Sequence, residues 1–264
     1  MTYLPVDRDG VLKLADLENA ITEATAVVSL MWANNETGVL FPVEDIIRIC
    51  KSRGVLFHCD AVQAISKIPI EVAKLPVDYL SITGHKFNAP KGVGALFVHR
   101  KSPFSAYLHG GHQERGRRGG TENVALIVGL GKAAELAIEK SANFVCAVRP
   151  LRDALEAGIL SAIPGAELNG HPTQRLANTT NITFHGIESE ALLLLLDQEG
   201  VCASSGSACL ADSDEPSHVV KAMKPDTGAT RQMIRFSLGM ENSMAQVDAA
   251  IAAVRRAVNA LGGG

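Results

Sequence analysis

No stretch of this chain is apolar for long enough to cross a membrane. The longest candidate, Ala191–Leu196, is closed by Asp197, far short of the roughly 20 residues that a spanning helix needs. The opening residues, Met1-Thr2-Tyr3-Leu4-Pro5-Val6-Asp7, lack a basic stretch followed by an apolar one, so no secretion leader is expected. Charge is nearly balanced, at −3, which gives no electrostatic reason to hold nucleic acid or an anionic membrane surface. The five cysteines, Cys50, Cys59, Cys146, Cys202 and Cys209, form no C-x-x-C pair, and no His/Cys cluster has zinc spacing. That excludes an evident metal site and fits reduced thiols in a cytoplasmic protein. The triplets beginning at Asn35, Asn178 and Asn181 then carry no glycosylation meaning.

What remains is a packed, loop-punctuated globular chain: 264 residues, 47% apolar, with 24 glycines, enough for one large domain or two smaller ones. Apolar spacing predicts a helix over Leu12–Ala24 and another over Val43–Ser52, where Ile46, Ile47 and Ile49 lie on one side and Gly54 stands just past the end. Short apolar runs at Ala26–Ala33, Val55–His58 and Val77–Ile82 read as strands, with a helical segment from Ala61. Strands alternating with helices argue for a parallel sheet in an α/β layer fold. Ligands then sit beyond the carboxyl ends of the strands, a rule that groups Asn34-Asn35-Glu36, Asp60 and Lys86 near one edge of the sheet. A Gly/Arg-rich loop, His109–Asn123, precedes helices predicted over Thr121–Lys140 and Phe144–Leu160. Further on, Thr179–Phe184, Val201–Ala203 and Ile234–Leu238 read as strands, Glu188–Gln198 and Met244–Leu261 as helices, and Ala203–Pro216 as a polar loop. A domain boundary is expected near residue 140. The near-dinucleotide pattern at Gly129–Ala134 lies inside a predicted helix with no strand before it, so it lacks the strand-to-helix turn that its mechanism requires.

Chemistry concentrates in a few places. Ser81-Ile82-Thr83-Gly84-His85-Lys86 ends a strand in a tight turn, which would hold an amine on a rigid corner, suited to a Schiff base with a carbonyl cofactor; a solvated turn lysine is the plain alternative. Thr83 and His85 supply donors for a phosphate, unless His85 is a satisfied structural histidine. Asp60 at a strand end can pair with a pyridinium nitrogen or cap a helix. Gln63, just beyond, can donate to a ring oxygen or face solvent. Thr121 can cap the following helix or help hold an anion there. Arg235 lies within a strand, where a guanidinium needs a partner: a substrate carboxylate or a structural ion pair. Cys209, within Ser204–Cys209 of the polar loop, is placed for a nucleophilic or redox role, although Asp212, Asp214 and Glu215 disfavour its thiolate. The other four cysteines fall in apolar elements and read as core.

These stretches together resemble the pyridoxal-phosphate-dependent cysteine desulfurases of the aminotransferase class V superfamily. The resemblance is carried by Asn34–Gly38, His58–Gln63, Ser81–Lys86, Gly110–Asn123, Ser204–Cys209, Glu215–His218 and Ile234–Gly239, in the family's order and over nearly the whole chain. Gly111–Arg118 and the short tail after Leu261 look most like the nitrogen-fixation branch. The resemblance implies a fold-type-I α/β architecture: an incomplete large domain with a mainly parallel sheet over 1–140, and a smaller α+β domain over 141–264 bearing the cysteine loop. It implies that Lys86 forms the Schiff base, Asp60 holds the pyridine nitrogen, Gln63 contacts the ring hydroxyl, and Thr83, His85 and a partner subunit's Thr121 bind phosphate. It further implies that Asn35 contacts cofactor and substrate, that Asn35 and Arg235 hold the substrate carboxylate, and that Cys209 takes sulfur from L-cysteine as a persulfide.

A homodimer and an iron-sulfur scaffold or other sulfur acceptor are the implied partners, with a possible cluster contact at Cys209 and no metal site otherwise. Family members also carry an N-terminal part with a Gly/Ala/Thr phosphate loop and a ring-stacking histidine, and no equivalent precedes Asn35. The chain is therefore expected to be N-terminally shortened. Two other readings stay open: another class V enzyme, such as an aminotransferase or selenocysteine lyase, and an inactive fragment that keeps only a dimer or partner surface.

Overall fold

A computed structural model describes residues 1–206, 216–225 and 228–262. In chain order the elements are α1 (Leu14–Ala20), β1 (Val27–Met31), α2 (Val43–Ser52), β2 (Leu56–Asp60), β3 (Tyr79–Thr83), a 3-10 turn (Gly84–Phe87), β4 (Gly94–Val98), α3 (Gln113–Gly116), α4 (Val124–Ala162), β5 (Ala166–Leu168), β6 (Thr179–Phe184), α5 (Ser189–Gln198), α6 (His218–Met223), a second 3-10 turn (Gly228–Arg231), β7 (Met233–Ser237) and α7 (Met244–Ala260). They divide into two compact units: residues 21–32 with 42–142, and residues 1–20 with 33–41 and 143–264.

The first unit is built on a four-stranded sheet in the order β1-β2-β3-β4, with β1, β2 and β3 parallel and β4 antiparallel to β3. The α2 helix covers one face. Its Val43, Ile46, Ile47 and Cys50 are buried, a helical stripe that packs on β2. In β2 the period-two alternation sends Phe57 and Cys59 into the core and leaves Leu56, His58 and Asp60 half-buried. Asp78, 3% exposed, locks the layers. It accepts from the Phe57 N–H at 3.0 Å, from Ser102 Oγ at 2.6 Å and from Lys51 Nζ at 3.0 Å.

The second unit carries an antiparallel sheet in the order β5-β6-β7. Ile182 and Phe184 of β6 and Ile234 and Phe236 of β7 bury one face against Leu155 and Ile159 of α4, with α5 and α7 completing the core. The other face is polar. Asn181 and Thr183 share it with Asn169, whose Nδ2 donates to both at 2.8 Å, and Lys224 Nζ donates to Asn169 Oδ1 at 2.8 Å.

Several local expectations are corrected. The residues after Asp60 form successive turns, not a helix, with Ser66 at φ 67°. The two helices expected over 121–160 are one 39-residue helix that runs through Pro150. Val201–Ala203 is not a strand; only Ser204 forms a bridge, to Arg235. Cys146 and Cys202 are exposed, whereas Cys50 and Cys59 are buried as expected. Burial pushes the Cys50 thiol up to about 11 and the Cys59 thiol up to about 12, with Asp78 and Asp60 respectively adding to the effect. No described helix is long and apolar enough to cross a membrane.

Candidate active site

In the first unit the predicted residues gather at the carboxyl edge of the parallel strands. Asp60 ends β2 and lies opposite Ser81 of β3. Main-chain bonds hold this edge together: the Trp32 N–H donates to Asp60 O at 2.8 Å and the Ala61 N–H to Ser81 O at 2.9 Å. Asp60 Oδ1 accepts from the Val62 N–H at 2.9 Å, so the cap expected of it closes a turn rather than a helix. Gln63 Oε1 accepts from Lys67 Nζ at 3.2 Å.

Lys86 occupies the 3-10 turn that follows β3, half-buried between exposed His85 and buried Phe87. The turn is rigid for identifiable reasons. The Gly84 N–H donates to Val93 O, and Gly84 O accepts from the Ala89 N–H at 3.0 Å. Phe87 and Ala89 pack with Ala133 and Leu130. A Cβ on Gly84 would stand 2.8 Å from that of Ala89, so only glycine fits beside the lysine. Thr83 Oγ1 and His85 Nδ1 lie 3.1 Å apart.

His58 and Ser81 are functional candidates that carry no role in the sequence alone. His58 bridges three strands: its Nδ1 meets Ser29 Oγ at 2.8 Å and its Nε2 meets Ser81 Oγ at 3.1 Å. Burial holds this imidazole below its ordinary value, against the pull of Asp60. The available signal was parity, since His58 and Asp60 alternate onto one face of β2.

Thr121 is exposed and does not open the long helix. That helix begins at Val124, where Asn123 Oδ1 accepts from the Leu126 N–H at 3.3 Å. The Gly/Arg loop before it is held by Arg118, which donates to Glu114 Oε1 at 2.6 Å and to Gly120 O at 2.8 Å.

The second unit holds Asn35 and Arg235. Asn34 Oδ1 accepts from the N–H groups of Glu36 and Thr37, closing a turn at which residues 34–36 present their backbone. Arg235 Nη1 donates to Asn35 O at 2.9 Å, and Arg235 exchanges two backbone hydrogen bonds with Ser204. Cys209 and its acidic neighbours Asp212, Asp214 and Glu215 lie outside the described residues. No group of metal-ligating side chains occurs among the described residues.

The first unit's donor set fits pyridoxal phosphate. It supplies a carboxylate for a ring nitrogen, an amine for the aldehyde carbon, and a hydroxyl–imidazole pair for phosphate, all at or just past the carboxyl ends of the adjoining parallel strands β2 and β3. A mixed, mainly parallel sheet with a carboxylate and an amine at the ends of neighbouring strands defines an α/β protein built for a carbonyl cofactor. The chain belongs to the aminotransferase class V family, whose model matches residues 1–250; members of this family are pyridoxal-phosphate enzymes. It is 53% identical over 248 residues to Cysteine desulfurase 2 of Trichormus variabilis, 50% identical over 248 residues to Cysteine desulfurase NifS of Azotobacter vinelandii, and 48% identical over 261 residues to Cysteine desulfurase IscS of Methanosarcina thermophila. These alignments cover 94%, 94% and 99% of the chain, but the chain spans only 62%, 62% and 64% of the relatives' lengths. A solved NifS-like protein superposes with a TM-score of 0.89 at 38% identity, covering 98% of this chain and 68% of that one.

Proposed function

We propose that this chain is the part of a cysteine desulfurase that holds pyridoxal phosphate, with residues 1–140 the remainder of the large cofactor domain and 141–264 the small domain. The observation that carries the reading is the strand-end pair of Asp60 and Lys86, on a fold shared with NifS-like proteins. When bound, the cofactor supplies a sink for the electron pair freed at the substrate Cα. Asp60 keeps the ring nitrogen protonated, so that this sink stays available. Gln63, Thr83, His85 and Thr121 from a second subunit orient the ring and its phosphate. Asn35 and Arg235 hold the carboxylate of L-cysteine, and Lys86 carries the Cα proton.

The Cys209 thiolate attacks the substrate sulfur. An S–S bond forms as the substrate Cβ–S bond breaks. The bond pair stays on carbon, which takes a proton and leaves as alanine, and Cys209 keeps the sulfur as a persulfide. An iron-sulfur scaffold or other acceptor protein in the cytoplasm would consume it, and the working form is a homodimer.

Two measurements test this. Borohydride reduction after addition of pyridoxal phosphate should fix the label on Lys86, as read by peptide mapping. In a separate, unreduced sample loaded with pyridoxal phosphate, L-cysteine should yield alanine with the wild-type chain and none with Cys209→Ser. A label on another lysine, or alanine formed by Cys209→Ser, overturns the proposal. Two observations favour a second reading, a chain that binds cofactor without turnover. It spans 62% of its relatives, and Val27 of β1 and Leu96 of β4 are left 49% and 47% exposed. Under that reading Lys86 is labelled but no alanine forms.

A further inference from the structure

In the turns that follow Asp60, a lysine sets the orientation of a side-chain amide. Gln63 and Lys67 stand four residues apart, both half-buried, and buried Ala61 and Ala64 anchor the turns that carry them. Main-chain bonds fix the path: the Ala64 and Ile65 N–H groups donate to Ala61 O, and the Lys67 and Ile68 N–H groups donate to Ala64 O. In a regular helix the Lys67 N–H would donate to Gln63 O. Here Ser66 stands at φ 67°, and the Lys67 N–H goes to Ala64 O at 3.0 Å instead. The lysine side chain takes over the carbonyl, with Nζ donating to Gln63 O at 2.9 Å.

Holding that carbonyl would be a sufficient structural role for Lys67. The second contact goes further, because Nζ also donates to Gln63 Oε1 at 3.2 Å. An ammonium has donors only, whereas a carboxamide has one accepting end and one donating end. With Oε1 turned to Lys67, Nε2 is the end turned away, so Gln63 offers a ligand N–H groups and no acceptor. A fixed donor suits an oxygen that can only accept, and the ionised hydroxyl of a pyridoxal ring is such an oxygen.

We infer that Lys67 is a positioning residue for the cofactor: by holding Gln63 Oε1 it fixes the amide as a donor, so that the site selects a ring bearing an ionised hydroxyl. The inference rests on the reading of residues 1–140 as a cofactor domain in which Gln63 meets the ring hydroxyl. It assigns a role to a lysine that touches neither the substrate nor the reacting carbon.

The test compares two ligands on the intact chain. Dissociation constants for pyridoxal phosphate and for its 3-deoxy analogue, which lacks only the ring hydroxyl, are measured by equilibrium dialysis. Their ratio isolates the ring oxygen and needs no turnover. Wild type should favour pyridoxal phosphate by about tenfold, the scale of a hydrogen bond to a charged acceptor. Lys67→Met keeps the length of the side chain but frees the amide to rotate, and ordering it again on binding should cut that preference by at least about threefold. Lys67→Arg keeps a donor for Oε1 and should restore the preference to within about twofold of wild type. Gln63→Leu should cut it at least as far as Lys67→Met does, and Lys67→Met added to Gln63→Leu should change nothing further.

A cut of less than about threefold in Lys67→Met sinks the inference. So does an equal weakening of both ligands, which assigns Lys67 to holding the turn through Gln63 O alone, or a Lys67→Arg chain that behaves as Lys67→Met. A further fall when Lys67→Met is added to Gln63→Leu sinks it as well, because the lysine charge then acts on the ring oxygen without the amide. If Lys67→Met does not fold, Lys67→Ala is read by the same ratio. A wild-type chain that binds neither ligand overturns the proposed function and this inference together. Binding of both ligands with a ratio that Lys67→Met leaves unchanged overturns the inference alone.

Discussion

Removing the Asp78 carboxylate should loosen the frame that sets Asp60 beside β3. Asp78 accepts from the Phe57 N–H of β2 and from Ser102 Oγ. Hydrogen bonds to a buried charge contribute roughly 1.5–3 kcal/mol each. Lys51 adds less than about 1 kcal/mol, since its side chain is nearly half exposed. Asp78→Ala should therefore cost roughly 3–5 kcal/mol. Asp78→Asn keeps one acceptor and should cost about 2 kcal/mol.

The pH dependence distinguishes this from a packing defect. Burial alone would raise the Asp78 carboxyl, but hydrogen bonds from Ser102, the Phe57 N–H and Lys51 hold it below the usual carboxylate value. A depressed folded value means that the stabilisation is fully present above the unfolded value of about 3.9. It is lost as pH falls through the lower folded value. Urea unfolding followed by fluorescence of Trp32, the only tryptophan and in the same unit, should show the full gap between wild type and Asp78→Asn at pH 7. The gap should shrink steadily below about pH 4. A cost under about 1 kcal/mol at pH 7, or a gap of the same size at pH 7 and pH 3, refutes the account.

Other outcomes follow from the same structure. Lys86→Ala should abolish borohydride-fixed label, whereas Lys91→Ala, on the exposed loop beyond, should leave it intact. Gly84→Ala forces a Cβ against Ala89, Val93 and Leu130 and should cost about 1–3 kcal/mol by overpacking; thermal melting with and without Lys86 labelling checks it. At pH 8 iodoacetamide should label Cys146 and Cys202 but spare Cys50 and Cys59 until denaturant is added, because both buried thiols stay protonated well above that pH. Early loss of Cys59 would contradict the burial of β2.

The bounds of α2 were legible because its apolar spacing and Gly54 after it agree, although the buried stripe is Val43, Ile46, Ile47 and Cys50, with Ile49 only half-buried. The sheet strands were legible as runs, and Asp60 and Lys86 as strand-end residues. The long helix reads as two because Ser141-Ala142-Asn143 looks like polar punctuation, although it contains neither Gly nor Pro to end a helix; Pro150 sits inside the continuous helix even though it removes one i→i−4 hydrogen bond there. Turns replaced the helix expected after Asp60 because its carboxylate satisfies the Val62 N–H locally and Ser66 takes a left-handed conformation. Cys146 and Cys202 were misplaced because apolar neighbours in sequence do not say which face of an element looks outward. The hydrogen bond from Ser217 Oγ to Glu36 Oε2, at 2.6 Å, was not legible because the two residues stand 181 positions apart in the chain, a separation no local pattern can report.

The alternation along β2 sets a rule of parity for any engineer or lineage working on this chain. Adding or deleting a single residue between Gly54 and Asp60 would turn the carboxylate inward onto α2 and present Cys59 in its stead. Adding two would restore the facing while displacing Asp60 from Ser81 by one pleat. Length can change instead in the turns after Ala61, where no ladder keeps count. Tolerance to insertion should therefore drop abruptly at Asp60, and a library of one-residue duplications across positions 54–70 would trace that step.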